Sequence, residues 1–256
     1  MIHIYKNQYN YMEEVNYGIL KHIPTNPSKK TLSVLDVGCG SGVLSEAVKK
    51  KGYTVWGIEI NQEAARIAGT RIDKAINEDL LNLEKIEEII GNNRFDYIIF
   101  SNVLEHLYDP YLILKKYLKF LEQDGFVLVS VPNVAIWTNR IRLLFGKFDY
   151  TDTGTMDRTH IRFFTFKTAM MIVKESGCSI EKVDFTPFVV RAILPMIKKF
   201  FFGLTREESL HSRVIIDSRL YKLYLNYIYP LEYALSFLFK TSFAYAIIIK
   251  GKKIKI

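Results

Sequence analysis

The sequence predicts an α/β fold, with a doubly wound, mostly parallel sheet of seven strands and helices on both faces. From residue 32 onward, short apolar segments alternate with amphipathic segments of helical period. This alternation is typical of parallel sheets whose strands are joined by helical crossovers. It stops after residue 132, and an aromatic segment of helical character over residues 187–241 precedes the last apolar segment. We therefore expect a helical insertion before the last strand.

Each predicted element is bounded by a residue that starts or stops it. Asn61, Asp109 and Thr165 are polar residues suited to cap the helices that follow them, and Pro110 suits a first helical position. The predicted strands are Leu32–Val37, Thr54–Ile60, Lys74–Asn77, Phe95–Phe100, Phe126–Val131, Ser179–Phe185 and Ser242–Lys250. The predicted helices are Ser41–Lys51, Gln62–Arg71, Leu83–Ile90, Pro110–Leu121 and Phe166–Glu175.

This pattern divides the chain into four parts. Residues 1–30 are predicted as an N-terminal helical segment, and residues 31–186 as the main domain, in which 133–165 form a lid. Residues 187–241 are the basic, aromatic insertion, and 242–256 are the final strand and tail. Cys39 and Cys178 are far apart and fit no metal-binding spacing, which favours a reduced, cytoplasmic protein.

The charge is concentrated in the last quarter of the chain. Residues 187–256 hold 12 Lys and Arg against 4 Asp and Glu, which accounts for the whole net charge of +8. The basic and aromatic residues of 187–241 suit peripheral contact with the inner face of a membrane. A packed helical insertion, a substrate-covering cap or a dimer interface would also explain them. No segment is apolar and long enough to span a bilayer, and no nucleic-acid-binding module is present, so nucleic acid is not an expected partner.

A glycine-rich loop between the first strand and the first helix indicates a nucleoside cofactor. Gly38, Gly40 and Gly42 permit a sharp turn and a close approach of the ligand to the backbone. Glu59 ends the second strand, 21 residues after Gly38, where a carboxylate can bind the two hydroxyls of a ribose. Asp36 directly precedes the glycines, and its carboxylate favours a cationic cofactor over a pyrophosphate.

The segment Val34–Gly42, Val-Leu-Asp-Val-Gly-Cys-Gly-Ser-Gly, resembles motif I of class I S-adenosylmethionine-dependent methyltransferases, whose fold is Rossmann-like. The resemblance implies that Asp36 holds the methionine end of the cofactor and that Glu59 binds the ribose. Asp79 would contact the adenine amino group, although it could instead be a helix cap. The remaining cofactor contacts implied are Gly38, Cys39, Gly40, Ser41 and Gly42 along the methionine and ribose, Ile60 and Leu80 beside the adenine, and Ser101 and Asn102 beneath the methionine.

The acceptor is expected at the carboxyl end of the fourth strand, where Glu105 and His106 follow. His106 could remove a proton from an acceptor hydroxyl, or could simply pack the loop; His160 is an alternative base. Arg158 and Arg162 could bind an anionic group; alternatively, His160 and Arg162 tie the lid to the domain through backbone hydrogen bonds. Glu105 and His106 supply too few ligands for a metal site to be predicted.

Residues 132–165 add a second resemblance. The pieces Pro132-Asn133, Arg142–Phe148 and Thr159–Thr165 resemble a bacterial methyltransferase subfamily that accompanies surface-polysaccharide synthesis. This implies O-methylation of a sugar or glycan precursor. The alternatives are methylation of another small molecule, such as a quinone precursor, or a non-catalytic cofactor-binding partner of glycan enzymes. The oligomeric state stays open.

Overall fold

The computed structural model describes residues 15–25, 32–188 and 224–254. Within them, the strands are β1 Ser33–Val37, β2 Thr54–Glu59, β3 Lys74–Asn77, β4 Phe95–Ser101, β5 Leu121–Pro132, β6 Cys178–Pro187 and β7 Ala244–Lys253. They form one sheet in the order β3-β2-β1-β4-β5-β7-β6, and the pairings among β1 to β5 are parallel. The predicted fold class is therefore confirmed.

The register of the central strands determines where a ligand can bind. Val37 of β1 lies opposite Ile58 of β2 and Phe100 of β4, so the three strands end at the same edge of the sheet. The strand order reverses between β1 and β4, and ligands of open α/β sheets bind at the carboxyl edge beside such a reversal. The glycine loop after β1 and the loop after β4 both begin there.

Short helices connect the strands. Their bounds are α1 Tyr17–Leu20, α2 Val43–Lys49, α3 Gln62–Arg71, α4 Leu83–Ile90, α5 Pro110–Tyr117, α6 Trp137–Leu144, α7 Phe166–Glu175, α8 Tyr229–Leu238 and α9 Lys240–Phe243. The predicted caps are present: Asn61 accepts a hydrogen bond from the Ala64 amide, Asp109 from the Leu112 amide, and Thr165 forms a reciprocal capping box with Thr168. These side chains satisfy amides that the first helical turn leaves without a partner.

Two helices are shorter than the sequence predicts. α2 begins at Val43 rather than at residue 41, because Gly42 has a left-handed φ of 80° and acts as the N-cap. α5 ends at Tyr117 and continues as a 3-10 turn over Leu118–Phe120, because Leu121 already pairs with Phe95 of β4. β5 therefore starts earlier than predicted, and a register shift between Phe95 and Tyr97 accommodates the additional residues.

The first of two compact units comprises residues up to 134, 149–184 and 247 onward. Its core joins side chains of α1, β1 and α2: Ile19, Val34 and Val48 are completely buried in one apolar cluster. The described part of the predicted N-terminal segment thus packs within this unit. Of the predicted lid, residues 149–165 also fall in this unit.

The second unit comprises residues 135–148 and 185–246. In it, Phe185 stacks on Tyr233 with ring centroids 4.9 Å apart, and the Trp137 indole N–H donates to the Phe188 carbonyl oxygen. A π-helical turn, Tyr224–Ile228, leads into α8. Most of the predicted basic insertion, residues 189–223, lies outside the described residues. Within the described parts, no helix combines the length and apolar character needed to cross a membrane.

Candidate active site

The glycine loop after β1 has a backbone conformation that favours glycine at three positions. Gly38, Gly40 and Gly42 have φ values of 75°, 54° and 80°. A Cβ atom on Gly38 would lie 2.7 Å from Cγ2 of Val103, which follows β4. This close approach brings the loop against the beginning of the β4–α5 connection. The predicted cofactor loop is therefore shaped by its glycines.

Glu59, at the end of β2, is bound directly to the glycine loop. The Gly40 amide donates to Glu59 Oε2 at 3.0 Å, and the Asn61 amide donates to Oε1 at 2.8 Å. Burial raises the pKa of this carboxyl group, while the amide contacts oppose that shift. Each carboxylate oxygen can accept more than one hydrogen bond, so Glu59 still has acceptor capacity for ribose hydroxyls.

Asp36 has a buried oxygen atom to which no described residue donates a hydrogen bond. Its side chain is 1% exposed, and Oδ2 accepts a 2.6 Å hydrogen bond from the Ser45 hydroxyl. Its Oδ1 is buried, and no described residue hydrogen-bonds to it. Burial raises the pKa of Asp36 to about 6. Buried polar atoms normally have a partner, so the unpartnered oxygen indicates a ligand with a hydrogen-bond donor, preferably a cationic one.

Asp79 forms an Asx turn before α4 and is not the cap of that helix, because the N-cap residue is Asn82. Its Oδ1 accepts a hydrogen bond from the Leu81 amide at 2.9 Å. The neighbouring Leu80 carbonyl oxygen accepts from the Tyr117 hydroxyl, which fixes the backbone there. Asn77, which the sequence analysis does not single out, donates from Nδ2 to the carbonyl oxygens of Glu59 and Ile60. The backbone of Ile60 and Leu80, the residues predicted beside the adenine, is therefore positioned by hydrogen bonds from Asn77 and Tyr117.

The end of β4 contains an unusual backbone conformation. Asn102 has a φ of 55° and is the only non-glycine residue with positive φ among those described. The Asn102 amide donates to the Ser130 carbonyl oxygen, and the Ser130 hydroxyl donates to Asn102 Oδ1. Asn16, from the N-terminal segment, donates to the Ser101 hydroxyl. Asn tolerates the left-handed region better than most residues, which explains its place at this turn. Sequence reasoning missed Asn16 and Ser130, because both are distant in sequence.

The two predicted catalytic histidines are neighbours. The ring centroids of His106 and His160 are 4.9 Å apart, and Glu105 is buried beside them at 1% exposure. Burial and the nearby His160 lower the pKa of His106 to about 4; burial also lowers the pKa of His160 and raises that of Glu105 to about 8. We call Glu105, His106 and His160 the EHH cluster.

Backbone hydrogen bonds bring the EHH cluster together. The amides of Ile161 and Arg162 both donate to the Glu105 carbonyl oxygen at 3.0 Å. His106 Nδ1 lies 3.2 Å from the Thr159 carbonyl oxygen. The segment around residue 160 is thus attached to the loop after β4 by main-chain contacts that depend little on side-chain identity.

The two arginines predicted to bind the substrate make protein contacts. Arg162 donates from Nε and Nη2 to the Tyr108 carbonyl oxygen, and its guanidinium lies 5.4 Å from the centre of the Tyr108 ring. Arg158 pairs with Asp152, with a 2.6 Å separation between Nη2 and Oδ1 on exposed side chains. For Arg162 the geometry agrees with the alternative in which it ties residues 149–165 to the domain.

Residues 8–183 match the family model described as a methyltransferase domain. The chain belongs to this methyltransferase family. The prediction of an enzyme is thereby confirmed. S-adenosylmethionine is the predicted cofactor. The buried Oδ1 of Asp36 and the remaining acceptor capacity of Glu59 would fit the contacts predicted for its ammonium group and its ribose.

Individual relatives refine the comparison. A ubiquinone biosynthesis O-methyltransferase from Bradyrhizobium diazoefficiens is 33% identical over 102 residues, which cover 40% of each chain. The methyltransferase spans about half the length of the curated relatives that it matches. The predicted link to polysaccharide synthesis gains no support from these relatives.

Solved structures are similar in fold. A SAM-dependent methyltransferase from Archaeoglobus fulgidus superposes with a TM-score of 0.60 at 17% identity, covering 98% of this chain and 99% of its own. Magnesium protoporphyrin IX methyltransferase from Synechocystis, crystallised with bound SAH, gives a TM-score of 0.55 at 14% identity. The match covers 93% of this chain and 81% of that one. At such identities the similarity concerns the fold alone.

Proposed function

We propose that this methyltransferase transfers a methyl group from S-adenosylmethionine to a hydroxyl group on the aromatic ring of a small molecule of the quinone-precursor type. The observation that carries the donor is the buried, unpartnered Oδ1 of Asp36, which a cationic amino group would satisfy. The relatives named as ubiquinone biosynthesis O-methyltransferases support the acceptor class.

Different residues at the carboxyl edge of the sheet would bind different parts of the cofactor. S-adenosylmethionine supplies an electrophilic methyl group on a positively charged sulfur. Asp36 and Glu59 hold the two ends of the methionine–ribose part, and the loop from Gly38 to Gly42 determines its position. Alignment of the acceptor with the methyl group supplies most of the acceleration, on the order of 7–11 kcal/mol at best.

The acceptor hydroxyl must also lose a proton. His106 and His160 are the candidate proton acceptors, because both lie in the EHH cluster after β4. His106 Nδ1 faces the Thr159 carbonyl oxygen, which can only accept. Nδ1 therefore carries the hydrogen, and Nε2 carries the lone pair. Glu105 is the third polar group that an acceptor would meet in this cluster.

A sugar or glycan hydroxyl is the second candidate acceptor. It rests on the resemblance of residues 132–165 to the polysaccharide-associated subfamily. Arg158 and Arg162, which would bind a sugar-nucleotide phosphate, are engaged with Asp152 and with the Tyr108 carbonyl oxygen. A phosphate would have to compete with these contacts, so the aromatic acceptor is preferred.

A direct assay separates the two acceptor classes. The protein is incubated with methyl-labelled S-adenosylmethionine and either 1,2-dihydroxybenzene derivatives or a set of sugar nucleotides, and the products are identified by mass spectrometry. We expect label on a phenolic oxygen. Label confined to the sugars would replace the aromatic acceptor by the glycan, and label on neither despite cofactor binding would contradict both.

We expect the two histidines to contribute to turnover rather than to cofactor binding. His106→Gln and His160→Gln, assayed separately, should lower kcat, by about 10²–10⁴-fold for the residue that takes the proton. Calorimetry should give both variants the cofactor affinity of the wild type, because neither residue lies in the glycine loop or at the end of β2. If both variants turn over at the wild-type rate, neither histidine takes part in proton removal.

A further inference from the structure

The N-terminal helix α1 contributes a side chain to the carboxyl edge of the sheet. Asn16 directly precedes α1, and its Nδ2 donates a hydrogen bond at 3.0 Å to the hydroxyl oxygen of Ser101, 85 residues further along the chain. Ser101 ends β4 and follows Phe100, which lies opposite Val37 of β1. The contact is therefore beside the start of the glycine loop, where the methionine part of the cofactor is predicted.

Contacts other than the one with Ser101 hold Asn16 in place. Ile19 of α1 is completely buried in the apolar cluster of the first unit. His22, directly after α1, is buried as well, and its Nε2 lies 3.1 Å from a carboxylate oxygen of Asp184 on β6. Folding thus positions Asn16, and a positioned side chain costs a ligand less entropy than a mobile one.

The cap of α1 determines the direction of the hydrogen bond to Ser101. Asn16 Oδ1 accepts from the Ile19 amide, as an N-cap side chain does, so the NH₂ group of Asn16 faces Ser101. The hydroxyl oxygen of Ser101 is then the acceptor, and its own hydrogen points elsewhere. Among the described residues, none accepts that hydrogen. Ser101 therefore offers a hydrogen-bond donor at the carboxyl edge of the sheet.

The methionine end of S-adenosylmethionine needs such a donor. It carries a carboxylate group beside its ammonium group, and a carboxylate that leaves water requires hydrogen-bond donors in exchange. The acidic residues of the site suit only the ammonium group and the ribose. Four amides of the glycine loop already donate within the protein, namely those of Gly38, Cys39, Gly40 and Gly42.

We propose that Asn16 is a positioning residue for the cofactor, which directs the hydroxyl hydrogen of Ser101 toward the carboxylate group of the methionine end. This inference rests on the proposed function, because it takes S-adenosylmethionine as the methyl donor. Asp36 on β1 would bind the ammonium group, and Ser101 on β4 would bind the carboxylate. The protein should therefore bind S-adenosylmethionine more tightly than its decarboxylated analogue.

Calorimetric titration of the full-length protein with each of these two ligands measures recognition of the carboxylate. We expect Asn16→Ser and Ser101→Ala each to weaken the binding of S-adenosylmethionine by about three- to tenfold and to leave the binding of the decarboxylated analogue unchanged. Serine is also a good N-cap, but its side chain is one bond shorter and would not reach Ser101. The double variant should lose no more affinity than Ser101→Ala alone, because Asn16 acts through Ser101.

Two further variants separate positioning from a general loss of packing around α1. Asn16→Asp keeps the cap, but its carboxylate would accept from the Ser101 hydroxyl and thereby reverse the hydrogen bond. It should weaken S-adenosylmethionine binding at least as much as Asn16→Ser, with a free energy of unfolding close to that of the wild type. His22→Ala is the control, because it removes the contact with Asp184 at the other end of α1. It should lower stability and leave the ratio of the two affinities unchanged.

The comparison of the two ligands also separates this inference from the proposed function. Equal losses for both ligands in Asn16→Ser, or the same change of the affinity ratio in His22→Ala, would overturn the inference. Wild-type protein that binds both ligands equally would overturn it as well, and so would unchanged binding of S-adenosylmethionine by Asn16→Ser and Ser101→Ala. Wild-type protein that binds neither ligand would count against the proposed function instead.

Discussion

Asp36→Asn is expected to weaken the binding of S-adenosylmethionine by about ten- to a hundredfold, that is, by about 1.4–2.8 kcal/mol. The substitution keeps the size of the side chain and an oxygen that can accept the Ser45 hydroxyl hydrogen. It removes the negative charge that would face the cationic cofactor, and hydrogen bonds between charged partners are about twice as strong as neutral ones. Isothermal titration calorimetry measures the change directly.

The pH dependence gives an independent test of the same residue. Burial raises the pKa of Asp36 to about 6, so wild-type affinity should be constant at pH 7–8 and fall about tenfold per unit below pH 6. The affinity of Asp36→Asn should lack this step. Stability should change in the opposite sense: because the folded-state pKa is raised, the contribution of Asp36 to stability is greatest below pH 3.8 and declines as the pH rises through 6. At pH 8, Asp36→Asn should therefore be at least as stable as the wild type.

A second acidic residue on the same sheet serves as the control. Asp96 of β4 accepts a hydrogen bond from the Ser33 amide at the amino end of β1, opposite to the glycine loop. Asp96→Asn should leave cofactor affinity and its pH dependence unchanged. Equal affinities for the wild type and Asp36→Asn would show that Asp36 does not face the cofactor.

Gly38→Ala is expected to lower the free energy of unfolding by about 2–5 kcal/mol and to abolish measurable cofactor binding. A left-handed φ costs a non-glycine residue about 1–2 kcal/mol, and overpacking adds about 1–3 kcal/mol. The new methyl group would meet Val103 Cγ2 at 2.7 Å, and Val103 is a buried, β-branched side chain with few allowed rotamers. Denaturant unfolding gives the stability, and calorimetry gives the binding.

Two further variants separate backbone strain from steric conflict. Gly91 also has a positive φ, of 59°, but a Cβ atom there would meet nothing within 4 Å. Gly91→Ala should therefore show only the backbone cost and should bind the cofactor normally. Adding Val103→Ala to Gly38→Ala should recover part of the lost stability. If adding Val103→Ala recovered none of the stability lost in Gly38→Ala, the close approach of Val103 would be unimportant.

Much of the fold can be predicted from local sequence signals, whereas element boundaries that depend on contacts between strands cannot. The capped helix Gln62–Arg71 and the strand Lys74–Asn77 lie where the sequence predicts them. The glycine loop and Glu59 could be predicted because their function requires a fixed order along one strand–helix–strand unit. The beginning of β5 at Leu121 could not, because it depends on a register shift against Phe95.

The site itself is less predictable than the sheet. The sequence offers His106 and His160 as alternatives, whereas the structure makes them neighbours. Their proximity depends on amide contacts from residues 161 and 162 to the Glu105 carbonyl oxygen. Main-chain contacts between irregular segments leave no periodic trace in the sequence. Asn16 and Ser130 were missed for the same reason, since each meets the end of β4 through contacts between distant parts of the chain.

The hydrogen bond from the Gly40 amide to Glu59 has a consequence for selectivity. This contact is a hydrogen bond within the folded protein, so much of the entropy of ordering the loop is lost during folding and not at binding. Glu59 also keeps two amide donors of its own when a ribose hydroxyl is missing. When a cofactor analogue lacks one ribose hydroxyl, the buried carboxylate of Glu59 therefore still accepts two amide hydrogen bonds. Discrimination by this methyltransferase should be sharper at the methionine end of its cofactor than at the sugar.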